Sequence, residues 1–220
     1  NKMSGGRSQI DVGTNNSNDF LTDPVTKNII DELNSKTSLD LFFKMLNETQ
    51  NKEIEALNYS KFYNPEYNFD KKKSFFKVIY NRFMNFFFNG QTFLDIRFAL
   101  SEDGYKREPH LDRETRIISF LLYFNTLTEE DGGTLEIFKY NNDENNHNLD
   151  INDPEHSKNR KLDTNKLELY KKINPKKNQL VVFLSTPKSV HGVSEQRSNP
   201  KKRFFSFGSY TGTKSISWKF

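Results

Sequence analysis

The sequence predicts an α+β fold whose β part is a sandwich or barrel, with helices packed on one sheet. Apolar side chains recur at helical spacing in the first ninety residues, and they alternate as in strands from there on. A chain of 220 residues can bury one large core, and its 21 Phe and 9 Tyr supply bulky side chains for it. We therefore expect a single domain over residues 20–220.

Residues 20–90 are expected to be mainly helical. "DPVTKNIIDELNS" predicts a helix with Asp23 as the N-cap and Pro24 in the first turn. Its apolar face is expected to carry Val25, Ile29, Ile30 and Leu33. "SLDLFFKMLNETQ" predicts a second helix, and "KSFFKVIYNRFMNFFFNG" a third that ends at Asn89-Gly90. Residues 1–19 are rich in Gly, Ser and Asn, so we expect a flexible arm there.

Residues 91–220 are expected to form the β core. In "TFLDIRFAL" apolar residues alternate with Asp95 and Arg97, which predicts a strand. Further strand candidates are "RIISFLLYFN", "GTLEIFKY", "QLVVFLS", "SVHGVSE", "RFFSFGSY" and "SISWKF". A nearly all-polar segment at about 141–177 interrupts them, and it is either a solvated insertion or a substrate-binding lid.

Composition narrows the partners and the compartment. The chain has no cysteine, which excludes disulfides, thiolate metal sites and a cysteine nucleophile, and fits a cytoplasmic location. The first ten residues lack the apolar core of a signal peptide, and no apolar run could span a bilayer, so we expect a soluble protein with no membrane partner. The 33 basic and 29 acidic residues are interspersed, so no nucleic-acid partner is expected. No pattern favours a particular oligomeric state.

Two histidines and one aspartate are the candidate metal ligands. His110 and Asp112 stand two positions apart, so their side chains can leave a strand and its bend on the same face. A lone His-x-Asp is weak evidence, but His191 follows an apolar strand and a turn farther along the chain. Two imidazoles and one carboxylate on one face of a divalent iron leave adjacent positions open. The other histidines, His147 and His156, lie in the polar segment and are expected to be exposed.

Several motifs of the second half occur in an order typical of one enzyme family. They are His110-Leu111-Asp112, Arg116, "YFN" from Tyr123, "DGGTLEIF" from Asp131, "QLVVFLS", "HGV" from His191 and "RFFS" from Arg203. Together they resemble the Fe(II)/2-oxoglutarate-dependent oxygenases, and within them the prolyl-4-hydroxylase-like branch. The resemblance covers about residues 92 to 210.

This resemblance implies a double-stranded β-helix, the cupin-like jelly roll, with the N-terminal helices packed on its larger sheet. It implies that His110, Asp112 and His191 ligate Fe(II), with 2-oxoglutarate and O2 as the other reactants. Arg203 would pair with the distal carboxylate of 2-oxoglutarate, and Tyr123 would donate a hydrogen bond to it. The expected reaction is hydroxylation of a peptide prolyl residue, a free amino acid or a related small molecule, with release of succinate and CO2.

The chain also departs from the family pattern. Phe98 stands where many relatives have a tyrosine. Its side chain is a candidate for the wall of the substrate pocket, as are those of Phe205 and Val193. Ser206 is one position off the usual register after the arginine, which leaves Lys202 as the rival anchor for 2-oxoglutarate.

The sequence leaves two other functions open. One is a non-catalytic metal-binding jelly-roll module, against which the basic anchor Arg203 argues. The other is a nucleic-acid demethylase of the same superfamily, for which the only sign is a lysine cluster at Lys171, Lys172, Lys176 and Lys177. A halogenase is disfavoured because Asp112 is present.

Overall fold

Two antiparallel sheets form the β part of the molecule. The computed structural model describes residues 2–3, 7–11, 23–49, 79–80, 83, 92–141, 162, 164–197 and 201–213. Their strands are β1 (Lys2–Met3), β2 (Arg7–Asp11), β3 (Thr92–Ser101), β4 (Arg107–His110), β5 (Arg116–Tyr123), β6 (Leu135–Tyr140), β7 (Leu167–Ile173), β8 (Gln179–Leu184), β9 (His191–Val193) and β10 (Arg203–Gly212). The larger sheet has the order β1-β2-β3-β10-β5-β8, and the smaller has the order β4-β9-β6-β7. This arrangement confirms the predicted α+β class and jelly roll.

Two helices precede the jelly roll, α1 (Pro24–Leu33) and α2 (Lys36–Thr49). Asp23 caps α1 as predicted, because its carboxylate accepts a 2.7 Å hydrogen bond from the amide of Thr26. Val25 was expected on the apolar face but is 65% exposed, because Thr26 takes the buried position of that turn.

The helices pack against the larger sheet, as predicted. Buried side chains of α2 such as Phe42 join a core cluster with Phe120 of β5 and Tyr210 of β10. The Tyr210 hydroxyl donates a buried 2.5 Å hydrogen bond to the carbonyl of Leu33. A polar link therefore fixes the end of α1 to the sheet as well.

A second core cluster lies between the two sheets. Leu121, Tyr123 and Phe205 of the larger sheet pack there against Leu135 of the smaller one. All eight residues from Ile117 to Phe124 are buried or half-buried, as expected for a strand between helices and a second sheet. This inner cluster supports the strands that surround the candidate site.

The structure differs from the prediction at two places. Arg7–Asp11, inside the span predicted to be a flexible arm, forms a strand paired with β3. This pairing uses main-chain hydrogen bonds, which need no apolar pattern. Leu167–Ile173, inside the predicted insertion at 141–177, is an edge strand paired with β6. It is largely exposed, which explains why its sequence is polar.

Some predicted elements lie outside the described residues. Of the third helix only residues 79, 80 and 83 are described, and these are helical. The strand candidate "SISWKF" and residues 142–161 of the polar segment are outside as well. Within the described parts of the chain, no helix is both long and apolar enough to cross a membrane.

Candidate metal centre

The three predicted metal ligands come together at the edge of the smaller sheet. His110 ends β4 and lies opposite His191, the first residue of β9, while Asp112 lies in the turn after β4. The candidate ligand atoms of the three residues all lie within 4.8 Å of one another. The Nε2 atom of His191 is 3.9 Å from Oδ2 of Asp112. One ion can therefore be bound by all three side chains.

Both imidazole rings are oriented by main-chain carbonyl groups. Nδ1 of His110 lies 2.9 Å from the carbonyl oxygen of Glu108, and Nδ1 of His191 lies 3.0 Å from that of Ser189. Because a carbonyl only accepts, each Nδ1 carries a hydrogen, and this directs Nε2, the nitrogen that keeps a lone pair in the neutral ring, to the metal site. Burial, and then the neighbouring charges of His191 and Arg107, lower the pKa of His110 to about 3. His110 is thus neutral at physiological pH, the form that ligates.

Asp112 is buried but held ionised. Arg116 donates a charge-assisted hydrogen bond to Oδ1, and the Ser119 hydroxyl donates one of 2.5 Å to Oδ2. Burial raises the pKa of Asp112, but the charge of Arg116, the interaction with the His191 ring and the Ser119 hydrogen bond lower it by more, to about 2. Two imidazoles and one carboxylate form a donor set that fits Fe(II).

A bulge in β4 shapes this edge of the site. Arg107 lies opposite Val193 and His110 opposite His191, so β4 has one more residue than β9 in this interval. Cross-strand partners share a face, and both Arg107 and His110 therefore point toward the same cavity. A Cβ on Gly192 would lie 2.8 Å from the carbonyl oxygen of Arg107, so this close approach of the strands requires glycine.

A cavity of about 310 Å³ adjoins the triad and contains Arg203 in its wall. The Arg203 side chain is 1% exposed, and its Nη1 donates a 2.6 Å hydrogen bond to the carbonyl of Gly133. The guanidinium also lies 4.1 Å from the ring centre of Phe205 and 5.5 Å from that of Tyr105. Gly133 has φ +69°, which explains the glycine of the "DGG" turn that presents this carbonyl.

Asn125 fixes the main chain on both sides of Arg203. Its side-chain amide donates to the carbonyl of Lys202 at 2.7 Å and accepts from the amide of Phe204 at 2.9 Å. This contact gives the asparagine of the "YFN" motif a structural reason, because it sets the position at which the Arg203 side chain enters the cavity.

Lys202 lies on the opposite side of the strand from Arg203. Its Nζ is 2.6 Å from a carboxylate oxygen of Glu102 at the surface, and the residue is exposed. Arg203, Phe205 and Phe207 line the cavity, whereas Lys202 does not. Of the two candidate anchors, the strand therefore directs Arg203 into the cavity.

Tyr123 is fully buried, and its hydroxyl has no hydrogen-bond partner in the described part of the chain. Burial raises the pKa of this hydroxyl, and the charge of Arg203 acts in the opposite direction. The ring lies 6.5 Å from that of Phe205, but Tyr123 is not among the residues lining the cavity. A buried donor without a partner is costly, and a carboxylate bound to Arg203 is one group that could accept from it.

Phe98 is placed differently from the expectation, and Ser206 does not line the cavity. Phe98 stacks on Phe124 at 6.0 Å on the helix-facing side of the larger sheet, so it is not a wall of the cavity. Ser206 is buried, and its hydroxyl donates to the carbonyl of Arg97. The phenol that lines the cavity instead belongs to Tyr105, which the motif comparison missed. Its only signal in the sequence is a position just after Gly104, in the turn that leads to the His-x-Asp motif.

Comparison with known proteins gives a family match over this part of the chain. The family model described as "2OG-Fe(II) oxygenase superfamily" matches residues 96–208, which include all three candidate ligands and Arg203. A search of curated proteins gives no match.

Several solved structures are similar to part of the chain. A prolyl-4-hydroxylase from Pseudomonas putida is 24% identical, with a TM-score of 0.34, over 54% of this chain and 48% of that one. A prolyl hydroxylase from Trichoplax adhaerens, solved with a hypoxia inducible factor peptide, is 18% identical, with a TM-score of 0.36, over 56% and 45%. A 2OG-Fe(II) oxygenase family protein from Burkholderia pseudomallei is 13% identical, with a TM-score of 0.35, over 62% and 52%. The matched region therefore spans about half the length of these proteins.

Proposed function

The chain belongs to the 2OG-Fe(II) oxygenase superfamily, whose model matches more than half of it, and we propose that it is an active hydroxylase of that class. Fe(II), 2-oxoglutarate and O2 are the cofactors and cosubstrates that go with this family. The substrate is a peptide prolyl residue, a free amino acid or a related small molecule, as the motif resemblance to the prolyl-4-hydroxylase-like branch implies.

One observation carries the proposal: a three-donor metal site and a buried guanidinium line the same cavity. A structural ion needs no cation beside it. A cosubstrate with two carboxyl ends needs both features, because one end chelates the metal and the other needs a positive partner. This favours the oxygenase over a non-catalytic metal-binding module.

The proposed roles of the side chains follow from their positions. The bound iron, 2-oxoglutarate and O2 supply the chemistry, oxidation of a C–H bond to C–OH coupled to release of succinate and CO2. His110, Asp112 and His191 would hold the ion, and a donor set of three side chains would leave coordination positions for the reactants. Arg116 and Ser119 hold both oxygens of Asp112, which keeps this ligand ionised and fixed.

Arg203 is the proposed anchor for the distal carboxylate, and Tyr123 is the proposed second donor. Apolar side chains surround this end of the cavity, Phe205 and Leu135 among them. An apolar environment strengthens the pairing between a guanidinium and a carboxylate.

The demethylase alternative gains no support from the lysine cluster. Lys171, Lys172 and Lys176 line a different groove, beside α2 and β8, and Lys177 is exposed. None of the four lines the metal cavity.

The test is anaerobic loading with Fe(II) and 2-oxoglutarate, followed by exposure to air and measurement of succinate. The wild-type protein should form succinate slowly without a substrate, and His191→Ala should form none. Metal binding by the wild-type protein without any turnover of 2-oxoglutarate would favour the non-catalytic module instead.

A further inference from the structure

The cavity beside the metal centre is unusually rich in arginine. Five arginines line it, and among the described residues Asp112 is the one lining carboxylate: Arg97, Arg107, Arg113, Arg116 and Arg203. Arg116 pairs with Asp112, and Arg203 has a proposed partner in 2-oxoglutarate. Arg97 lies 3.6 Å from Asp95. The remaining two cations have no assigned partner.

Arg107 and Arg113 flank the metal ligands from two different elements. The β4 bulge aims Arg107 at the cavity on the same face as His110, and Arg113 directly follows Asp112 in the next turn. Neither guanidinium pairs with a carboxylate within the described residues. Both residues are exposed at the cavity mouth, whereas Arg203 is buried in its interior.

The charges in the loaded site do not balance without a further anion. Doubly charged 2-oxoglutarate would offset divalent iron, and Asp112 offsets Arg116, so the positive charges of Arg203, Arg107 and Arg113 remain. Arg107 and Arg113 are like charges on the wall of the cavity that contains the metal site, and a further anion there would reduce their mutual repulsion. A guanidinium fork binds a carboxylate through two parallel hydrogen bonds, so these residues offer a specific anion site and not only a diffuse field.

We infer that the substrate carries a carboxylate, and that Arg107 and Arg113 hold it at the cavity mouth while its target carbon faces the metal. The inference rests on the proposed function and narrows its substrate class. The carboxylate is either the α-carboxylate of a free amino acid or an acidic side chain next to the target residue of a peptide. A rival role for the same arginines is capture of 2-oxoglutarate, and the experiment must separate the two.

Binding can be measured without turnover by loading the protein with Zn(II), which is redox-inert, and 2-oxoglutarate. Saturation-transfer difference NMR then compares N-acetyl-L-proline with N-acetyl-L-prolinamide, and N-acetyl-aspartyl-prolinamide with its asparaginyl counterpart. Within each pair only the charge differs. The variants are Arg107→Gln, Arg113→Gln and their double variant, with Lys202→Gln as the matched control because Lys202 is exposed and lies outside the cavity.

We expect the acid of one pair to bind about tenfold more tightly than its amide, and the pair that shows this identifies the source of the carboxylate. The double variant should lose the preference for the acid over the amide, and Lys202→Gln should keep it. The 2-oxoglutarate concentration that half-saturates succinate formation should stay unchanged in all of the variants. Equal binding of acid and amide in both pairs, or a preference that survives the double variant, would overturn the inference. So would a higher 2-oxoglutarate requirement in the double variant, since the arginines would then serve the cosubstrate. Absence of succinate formation by the wild-type enzyme would instead refute the proposed function, and the binding comparison separates these failures.

Discussion

Replacing Arg203 with methionine should weaken 2-oxoglutarate binding far more than iron binding. Methionine keeps an unbranched apolar stem but removes the guanidinium, which leaves the distal carboxylate of the cosubstrate buried without a charged partner. Removing one partner of a buried ion pair costs about 3–5 kcal/mol. At about 1.4 kcal/mol for each factor of ten, the half-saturating 2-oxoglutarate concentration should rise by roughly two to three and a half orders of magnitude.

Iron affinity should change little, because the contacts of Arg203 are with groups that are not metal ligands. They are the Gly133 carbonyl and the rings of Phe205 and Tyr105. Loss of the bond to Gly133 should lower the stability of the "DGG" turn, since a hydrogen bond to a charged group contributes about 1.5–3 kcal/mol. Arg203→Lys separates the two effects, because lysine keeps the charge but loses the fork and should give an intermediate 2-oxoglutarate requirement.

The assay measures succinate formation against 2-oxoglutarate concentration, with iron content and melting temperature determined on the same samples. Lys202→Met is the matched control, because Lys202 is adjacent in sequence, exposed and paired with Glu102. A large effect in Lys202→Met with none in Arg203→Met would refute the assignment of the anchor. Loss of iron in Arg203→Met would refute the argument that the two sites are separate.

Three further outcomes are expected. His191→Ala should abolish stoichiometric iron binding while the fold is retained, and wild-type iron content after anaerobic loading would contradict the triad. In the metal-free protein the pKa of His110 is about 3 against an ordinary 6.5, so the unfolded state takes up a proton that the folded state excludes. The melting temperature should therefore fall as the pH drops from 6.5 toward 3, and His110→Gln should flatten this dependence. Gly192→Ala should lower metal affinity, because the new Cβ pushes β4 away from β9. Gly104→Ala is the control and should reduce only stability, because no atom lies within 4 Å of its new Cβ. Equal metal affinity in the two variants would contradict the role of the close approach.

The parts of the fold that the sequence predicted are those set by local chemistry. Asp23 and Pro24 mark the start of α1, and alternation marks β3, because capping and strand patterning act within a few residues. Arg7–Asp11 and Leu167–Ile173 were missed because the first lies next to a sheet edge and the second lies at one, where main-chain hydrogen bonds suffice without an apolar pattern. Edge strands therefore carry a weaker sequence signal than the strands of the core.

In the candidate site, too, residues within sequence motifs were predicted and residues placed only by the tertiary fold were not. His110, Asp112 and His191 were proposed from the order of the motifs around them, and the structure brings them together. The strand period predicted that only one of Arg203 and Lys202 faces the cavity, and the phenylalanine after the arginine and the arginine fork favoured Arg203. Tyr105 was missed because no motif marks the turn that brings its ring to Arg203. Phe98 was assigned to the wrong face of β3, because the alternation of side chains defines two faces of a strand but does not indicate which one packs against the helices.

The β4 bulge explains why the position of Arg107 in the cavity wall was hard to predict from the sequence. Strict alternation along β4 would place Arg107 and His110, three residues apart, on opposite faces of the sheet. The extra residue puts them on the same face, so a side chain that the sequence assigns to solvent becomes part of the cavity. The buried Arg203 and the exposed pair Arg107 and Arg113 then differ in what they can bind. A cation in the interior requires a partner that is present in every reaction cycle, as 2-oxoglutarate is, because an unpaired buried charge is costly. Cations at the mouth remain hydrated between cycles, which suits a substrate carboxylate that must bind, react and leave.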